Sequence, residues 1–264
     1  MDGTVIRSKT VKKASSEASG SNMAIDSVIF GFGYRARSGK GTAVDEIIKQ
    51  RGLINHPAPE LGHNWATVNT ERYDIRKYSF ADALRSEVNA ALTRAGGAMS
   101  LLLVNRPTHF VQANENFIEL PEWVVLEENP EVNAQYPFGK HRTLYQWWGT
   151  EYRRSIDSEY WVRQLAQRIE LEMPQIALID DMRFSNEMAF VKQYGETVKV
   201  DRRDLPPATH VSETALEEVP DEDWSLILDN NGTLEQFLEG AVTAFDELLL
   251  NFPQQRNVRQ ALGV

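Results

Sequence analysis

The sequence predicts an α/β protein: a parallel sheet with helices on both faces. Three observations carry that expectation. Short apolar runs suited to fully buried strands, such as SVIFGF at 27–32 and QIALIDD at 175–181, alternate with segments of helical periodicity. Strand-helix alternation requires crossover connections and therefore parallel strands. The chain has 264 residues, 42% hydrophobic and 25% charged, the size and composition of a globular α/β domain.

The elements follow in order. Residues 1–24 are Ser- and Lys-rich with few bulky apolar side chains, too little to offset the entropy of ordering, and are expected to form a flexible tail. SVIFGF opens the domain. TAVDEIIKQRG then reads as a helix with Ala43, Val44, Ile47 and Ile48 on one face, Asp45 and Glu46 in its first turn, and Gly52 at its end. A strand within RYDIRKYSF leads to a helix with Phe80, Leu84, Val88, Ala91 and Leu92 as its stripe. Ser79 and Asp82 form a capping-box-like start, and the helix is expected to stop at Gly96-Gly97. Residues 98–140, with four prolines, read as an insertion of mixed structure. Helical signal returns over HRTLYQWWGTEYRR and again over SEYWVRQLAQRIELEM, where Trp161, Val162, Leu165, Ala166 and Ile169 share a side and Pro174 ends the run.

After QIALIDD come a helix over about 186–194, strands in ETVKVDR and WSLILDN, and a last helix. Thr233 and Gln236 open that helix, and Leu234, Phe237, Leu238, Ala241, Phe245 and Leu248 form its stripe. The domain is thus placed at 25–252, with 141–173 as a helical region and 253–264 as a C-terminal tail.

Bulk properties exclude several classes. No apolar run approaches the length of a membrane span. The first residues lack the apolar core of a secretion signal, which, with the absence of cysteine, fits a cytoplasmic protein. A net charge of −10 argues against stable binding along nucleic acid.

The chemistry-bearing stretch is GFGYRARSGKGT at 31–42. It nearly fits the phosphate-loop pattern G-x-x-x-x-G-K-[ST], but the position of the first glycine holds Tyr34, and Gly41 separates Lys40 from Thr42. Between a buried strand and a helix, small residues let backbone N–H groups face phosphates. Lys40 would reach the β and γ positions, and Thr42 would help hold Mg²⁺. A glycine-rich turn with an exposed lysine is the plain alternative. The apolar strand ending in Asp180 and Asp181 is the usual partner of such a loop; strand alternation would point the two carboxylates opposite ways, leaving one of the two for the metal. Arg35, Arg37, Arg142, Arg153, Arg154 and Arg183 could neutralise charge in phosphoryl transfer, although some are expected to be merely solvated. Trp161 and Phe184 could stack a base, but an aromatic on an amphipathic stripe is more often core. His210, alone in PATHVSE, reads as a solvated loop histidine, and no histidine is spaced with carboxylates like a metal site.

In order, RSGKGT, QWWGTEYRR…YWV and IDDMRFSNEM resemble the deoxynucleoside monophosphate kinases of tailed bacteriophages, over roughly residues 26–250 including THVSE and LILDNNGTLEQF. The resemblance implies a P-loop NTPase three-layer sandwich with an arginine-bearing helical lid, transferring the γ-phosphoryl group of ATP to a deoxynucleoside monophosphate. ATP would sit on Arg37, Ser38, Gly39, Lys40, Gly41 and Thr42, with Mg²⁺ at Thr42 and Asp180. The acceptor would lie near Arg35, Arg142, Trp161, Asp181, Arg183, Phe184 and Glu187. Lys40, Arg37, Arg142, Arg153 and Arg154 would serve catalysis, the last two on the lid. The phage relatives suggest a dimer and the host cytoplasm. Many members carry Asp where this chain has Gly41, and residues 98–140 match no part of the pattern. A kinase acting on a modified base in DNA, and a nucleotide-switch ATPase, are the rival readings.

Overall fold

The computed structural model describes residues 25–52, 73–94, 109–111 and 117–251. The expected tails at 1–24 and 253–264, the Gly96-Gly97 stop and much of 98–119 lie outside the described residues. The chain divides into two compact units, one from Met1–Ser79 with Ala166–Val264, the other Phe80–Leu165.

The first unit is a five-stranded sheet, all of its pairings parallel, as the strand-helix alternation predicts. Its strands are β1 (Val28–Gly33), β2 (Ile75–Tyr78), β5 (Ile176–Met182), β6 (Gly195–Asp201) and β7 (Leu226–Asp229), in the order β2-β5-β1-β6-β7. All six residues of β1 are buried, which explains its continuous apolar run. Val28, Phe30 and Phe32 pack with Ala43, Val44 and Ile47 of α1 (Lys40–Arg51) and Phe237, Ala241, Phe245 and Leu248 of α7 (Leu234–Asn251). Phe30 meets Phe245 edge to face, centroids 5.4 Å apart. On the other side of β1, Gly31 abuts Val191 of α5 (Ser185–Tyr194), so helices flank both faces. The helix α5 passes into β6 with no connecting residue. Gly195 donates its N–H to Val191 O as the helix ends and pairs with Ile29 as the strand begins. A Cβ there would lie 1.7 Å from the Ile29 carbonyl oxygen, so this junction admits only glycine.

Start and stop chemistry matches the sequence in part. The Thr233–Gln236 capping box is present: Gln236 N–H donates to Thr233 Oγ1 at 3.2 Å and Thr233 N–H to Gln236 Oε1 at 2.9 Å. Leu234, expected on the buried stripe, is 64% exposed, because it sits in the first turn before the helix reaches the sheet. In α1 the helix begins at Lys40 inside the loop, which moves Asp45 and Glu46 out of the first turn and leaves that turn without an acidic residue.

The second unit contains α2 (Ala81–Arg94), an antiparallel pair of strands β3 (His109–Val111) and β4 (Phe117–Glu119), and α3 (Arg142–Trp147). From α3 the chain winds on without a break into a π-helical segment, Trp148–Arg154. Then α4 (Tyr160–Glu172) carries the chain out of this unit. Its core joins Val88, Ala91, Leu92, Leu120, Val124, Leu126, Leu144, Trp147, Trp148 and Trp161. His141, 1% exposed, ties the irregular segment to α3: its Nδ1 accepts from Glu127 N–H at 3.0 Å, and its Nε2 lies 3.1 Å from Phe138 O. Among the described residues no helix is long and apolar enough to cross a membrane.

Candidate functional site

The loop from β1 to α1 closes around the ammonium of Lys40. Lys40 is 6% exposed, and its Nζ donates to Arg35 O at 2.5 Å, with Tyr34 O and Ser38 Oγ each at 3.4 Å. This curl needs backbone turned into the left-handed region at three places: Tyr34 (φ 94°), Arg37 (φ 63°) and Gly39 (φ 105°). Tyr34 therefore occupies the position and the conformation for which the consensus sequence uses glycine. A side chain in that region costs on the order of 1 kcal/mol. The ring has a compensating partner, since Lys199 Nζ stands 4.3 Å from its centroid, and Lys199 is itself held by Asp221 at 2.7 Å.

The loop is also tied from β7. Asn230 Nδ2 donates to Ser38 O at 2.7 Å, while its backbone N–H donates to Asp201 O at 2.8 Å. Ser38 is wholly buried. Gly39 cannot be larger: beyond its positive φ, a Cβ would lie 2.6 Å from Asn230 Nδ2. Arg37 and Thr42 are exposed, and the Arg37 carbonyl accepts from Arg202 Nη1 at 3.4 Å.

Burial, and next the nearby positive charge of Arg183, lowers the Lys40 pKa to about 8, opposed by Asp181 and Asp180. The charges of both aspartates act on the lysine, while their own partners differ. The pairing of β1 with β5 shifts register here: Gly31 pairs with Ile179 but Gly33 with Met182, so Asp180 and Asp181 both fall between those two pairings. Such a bulge interrupts alternation and re-aims side chains. Asp181 accepts from Ser79 Oγ. Asp180 Oδ2 lies 3.0 Å from Lys77 Nζ and 3.4 Å from where a Cβ on Gly41 would stand.

The turn after β5 is shaped by Glu187. Buried at 2% exposure, its Oε2 accepts from the N–H groups of Arg183 (2.6 Å) and Phe184 (3.1 Å), so its role in this structure is to cap α5. Arg183 Nη1 donates to Ser212 O at 3.4 Å. Arg35 Nε lies 2.8 Å from Glu217 Oε1. His210, expected to be solvated, caps the short helix α6 (Val211–Thr214), its Nδ1 accepting from Ser212 N–H at 3.2 Å.

In the second unit, Arg153 Nε donates to Glu87 Oε2 at 2.8 Å, and its guanidinium rests on the rings of Tyr152 and Tyr160 at 5.2 and 5.0 Å. Glu87 also accepts from Trp148 Nε1 at 2.9 Å and from the Tyr160 hydroxyl. Trp161 is 3% exposed with its indole N–H donated to Gly149 O at 2.8 Å, the position of a core residue. Arg142 is exposed at the start of α3, and Arg154 Nη1 donates to Ser158 O at 3.1 Å.

The structure therefore gathers Lys40, Ser38, Gly39, Gly41, Asp180, Asp181 and Arg183 around one loop. Arg35 and Arg153 are each bound to a carboxylate. Sequence reasoning passed over Lys77, Lys199 and Asn230. Lys77 and Lys199 are charged residues inside apolar strand patterns, and Asn230 directly follows a strand, which was the available signal.

The donors at the loop suit a hard divalent cation. Thr42 carries an exposed hydroxyl, the Asp180 carboxylate has its Oδ2 3.4 Å from where a Cβ on Gly41 would stand, and magnesium bound with phosphates needs only one or two protein oxygens. Among the described residues there is no group of three or more acidic or histidine side chains that could hold a metal unaided. No protein-family model matches the chain, and no curated protein matches it.

Proposed function

We propose that the chain is a P-loop kinase that moves the γ-phosphoryl group of ATP to a deoxynucleoside 5′-monophosphate, yielding the diphosphate and ADP. One observation carries the reading. A buried ammonium is held by loop carbonyls and a hydroxyl, beside a second cation, Arg183, at the start of a helix whose first turn carries no acid. Carbonyl dipoles satisfy the hydrogens of Lys40 without neutralising it. A phosphate chain in the loop would take over those hydrogens and relieve the repulsion from Arg183. The first-turn N–H groups of α1, which have no acceptor within a helix, add to the pull on an anion.

Magnesium, held by Thr42 and Asp180, would supply charge neutralisation at the donor's phosphate oxygens. The chain's own part is to bind and orient. Lys40 and the loop amides fix the donor, and Arg183, braced through its N–H by Glu187, offers positive charge on the side of Asp181. By resemblance, Arg142 and Arg154 would also serve catalysis. The bond from the γ-phosphorus to the β-bridging oxygen breaks as one forms to an acceptor phosphate oxygen. That oxygen is already anionic at neutral pH, so no general base is required.

The test is ADP formation by the purified protein with Mg-ATP and, separately, each deoxynucleoside monophosphate, each ribonucleoside counterpart and duplex DNA. ADP that appears only with particular deoxynucleoside monophosphates is expected. ADP without any acceptor, or only with DNA, replaces this reading with the switch ATPase or the DNA kinase.

A further inference from the structure

We infer that Lys77 is the resident counter-ion of Asp180 and keeps divalent metal off that carboxylate until a nucleotide brings it. The inference rests on the reading of the loop as a nucleotide site. Lys77 projects from β2 to the first turns of α1, where its Nζ lies 2.8 Å from Asp45 Oδ1 and 3.0 Å from Asp180 Oδ2. The space beside Gly41 is filled by this pair. A Cβ on Gly41 would meet Asp180 Oδ2 at 3.4 Å and Lys77 Nζ at 3.7 Å. The charge that the metal would bring next to Asp180 is therefore already supplied by the chain.

Three physical consequences follow. A divalent cation placed on Asp180 meets an ammonium at close range, a like-charge contact that opposes binding of the bare ion. Nucleotide phosphates carry enough negative charge to share between metal and lysine, so metal and nucleotide together escape that penalty. Lys77 also has somewhere to go: Asp45 holds it from the α1 side, so releasing Asp180 does not leave the ammonium unpaired. Close by, Lys40 feels the charges of Asp180, Asp181, Arg183 and Glu213, and Asp181 accepts from Ser79 Oγ.

The experiment uses the full chain without nucleotide and titrates Mn²⁺, read by the loss of the free-ion electron paramagnetic resonance signal. Lys77→Met is expected to bind Mn²⁺ about tenfold more tightly than the unaltered protein, because the ammonium 3.0 Å from the partly buried carboxylate is gone. Lys77→Arg, which keeps the charge, should stay near the unaltered protein, and adding Asp180→Asn to Lys77→Met should remove the gain. Equal Mn²⁺ affinities for Lys77→Met and the unaltered protein overturn the inference, as does a gain that survives Asp180→Asn. Binding of ADP in excess chelator tests the loop reading separately. Its absence in the unaltered protein removes the premise, whereas normal ADP binding with equal Mn²⁺ affinities removes this inference alone.

Discussion

Lys40 in the first unit and Arg153 in the second are both cations largely withdrawn from solvent, and their partners differ in kind. Lys40 is held by two carbonyl oxygens and a hydroxyl, while Arg153 is held by the Glu87 carboxylate and two tyrosine rings. Dipoles orient a charge and leave it in place; a carboxylate cancels it. The first arrangement leaves the charge uncancelled, and burial together with the nearby Arg183 lowers the Lys40 pKa. The second is closed on itself and ties the π-helical segment to α2. A run of arginines in a sequence thus contains residues of both kinds, and only the partner tells them apart.

The sharpest way to break this comparison is to remove the open cation. Lys40→Met is expected to lower ADP formation about a thousandfold, as for other removed charge-stabilising groups. The thermal midpoint should not fall, since a buried, partly uncompensated ammonium leaves with the substitution. Near-normal turnover would mean that the loop is not where phosphate is handled.

Next comes the closed cation. Glu87→Gln removes the charge accepting from Arg153, Trp148 and Tyr160, and should cost about 2 kcal/mol in urea unfolding. A change within error would show that Arg153 does not depend on Glu87 and is as available as Lys40.

A smaller effect sharpens the picture of the second unit. Burial holds the His141 pKa below its usual 6.5. Its Nδ1 is an acceptor, which places the proton on Nε2 toward Phe138 O. The folded chain takes up a second proton, at Nδ1, less readily than the unfolded one, so the stability it contributes is present above about pH 6.5 and is lost as pH falls. Stability should fall between neutral pH and pH 5, and His141→Asn should flatten that slope. The smallest effect is expected at Tyr34→Gly. Relief of the left-handed backbone and loss of the Lys199–ring contact are each about 1 kcal/mol and oppose one another. Chemical denaturation should find the two proteins nearly equal.

Much of the sheet was legible from the sequence because buried strands and amphipathic helices leave periodic traces. β1, β5, the stripe of α4 and the Thr233–Gln236 box follow directly from such traces. The site was less legible wherever structure departs from periodicity. The bulge at Asp180 and Asp181 is one added residue, invisible to an alternation argument. Tyr34 in a glycine's conformation cannot be read from residue preference, because its stabilising partner, Lys199, lies far along the chain. Trp161 shows the opposite failing. Its chemistry suggests base stacking, while its place on a helical stripe, the plainer signal, accounts for where it packs.

The junction at Gly195 has a mechanical meaning. Between α5 and β6 there is no slack at all: one residue ends the helix, starts the strand and lies against the backbone of β1. The helix is pinned to the centre of the sheet at its C-terminal end, while its N-terminal end carries the turn of Arg183 and Glu187. Any travel of Arg183 on meeting a ligand must therefore come from pivoting about that pin or from bending at the turn, and not from sliding of the helix along the sheet.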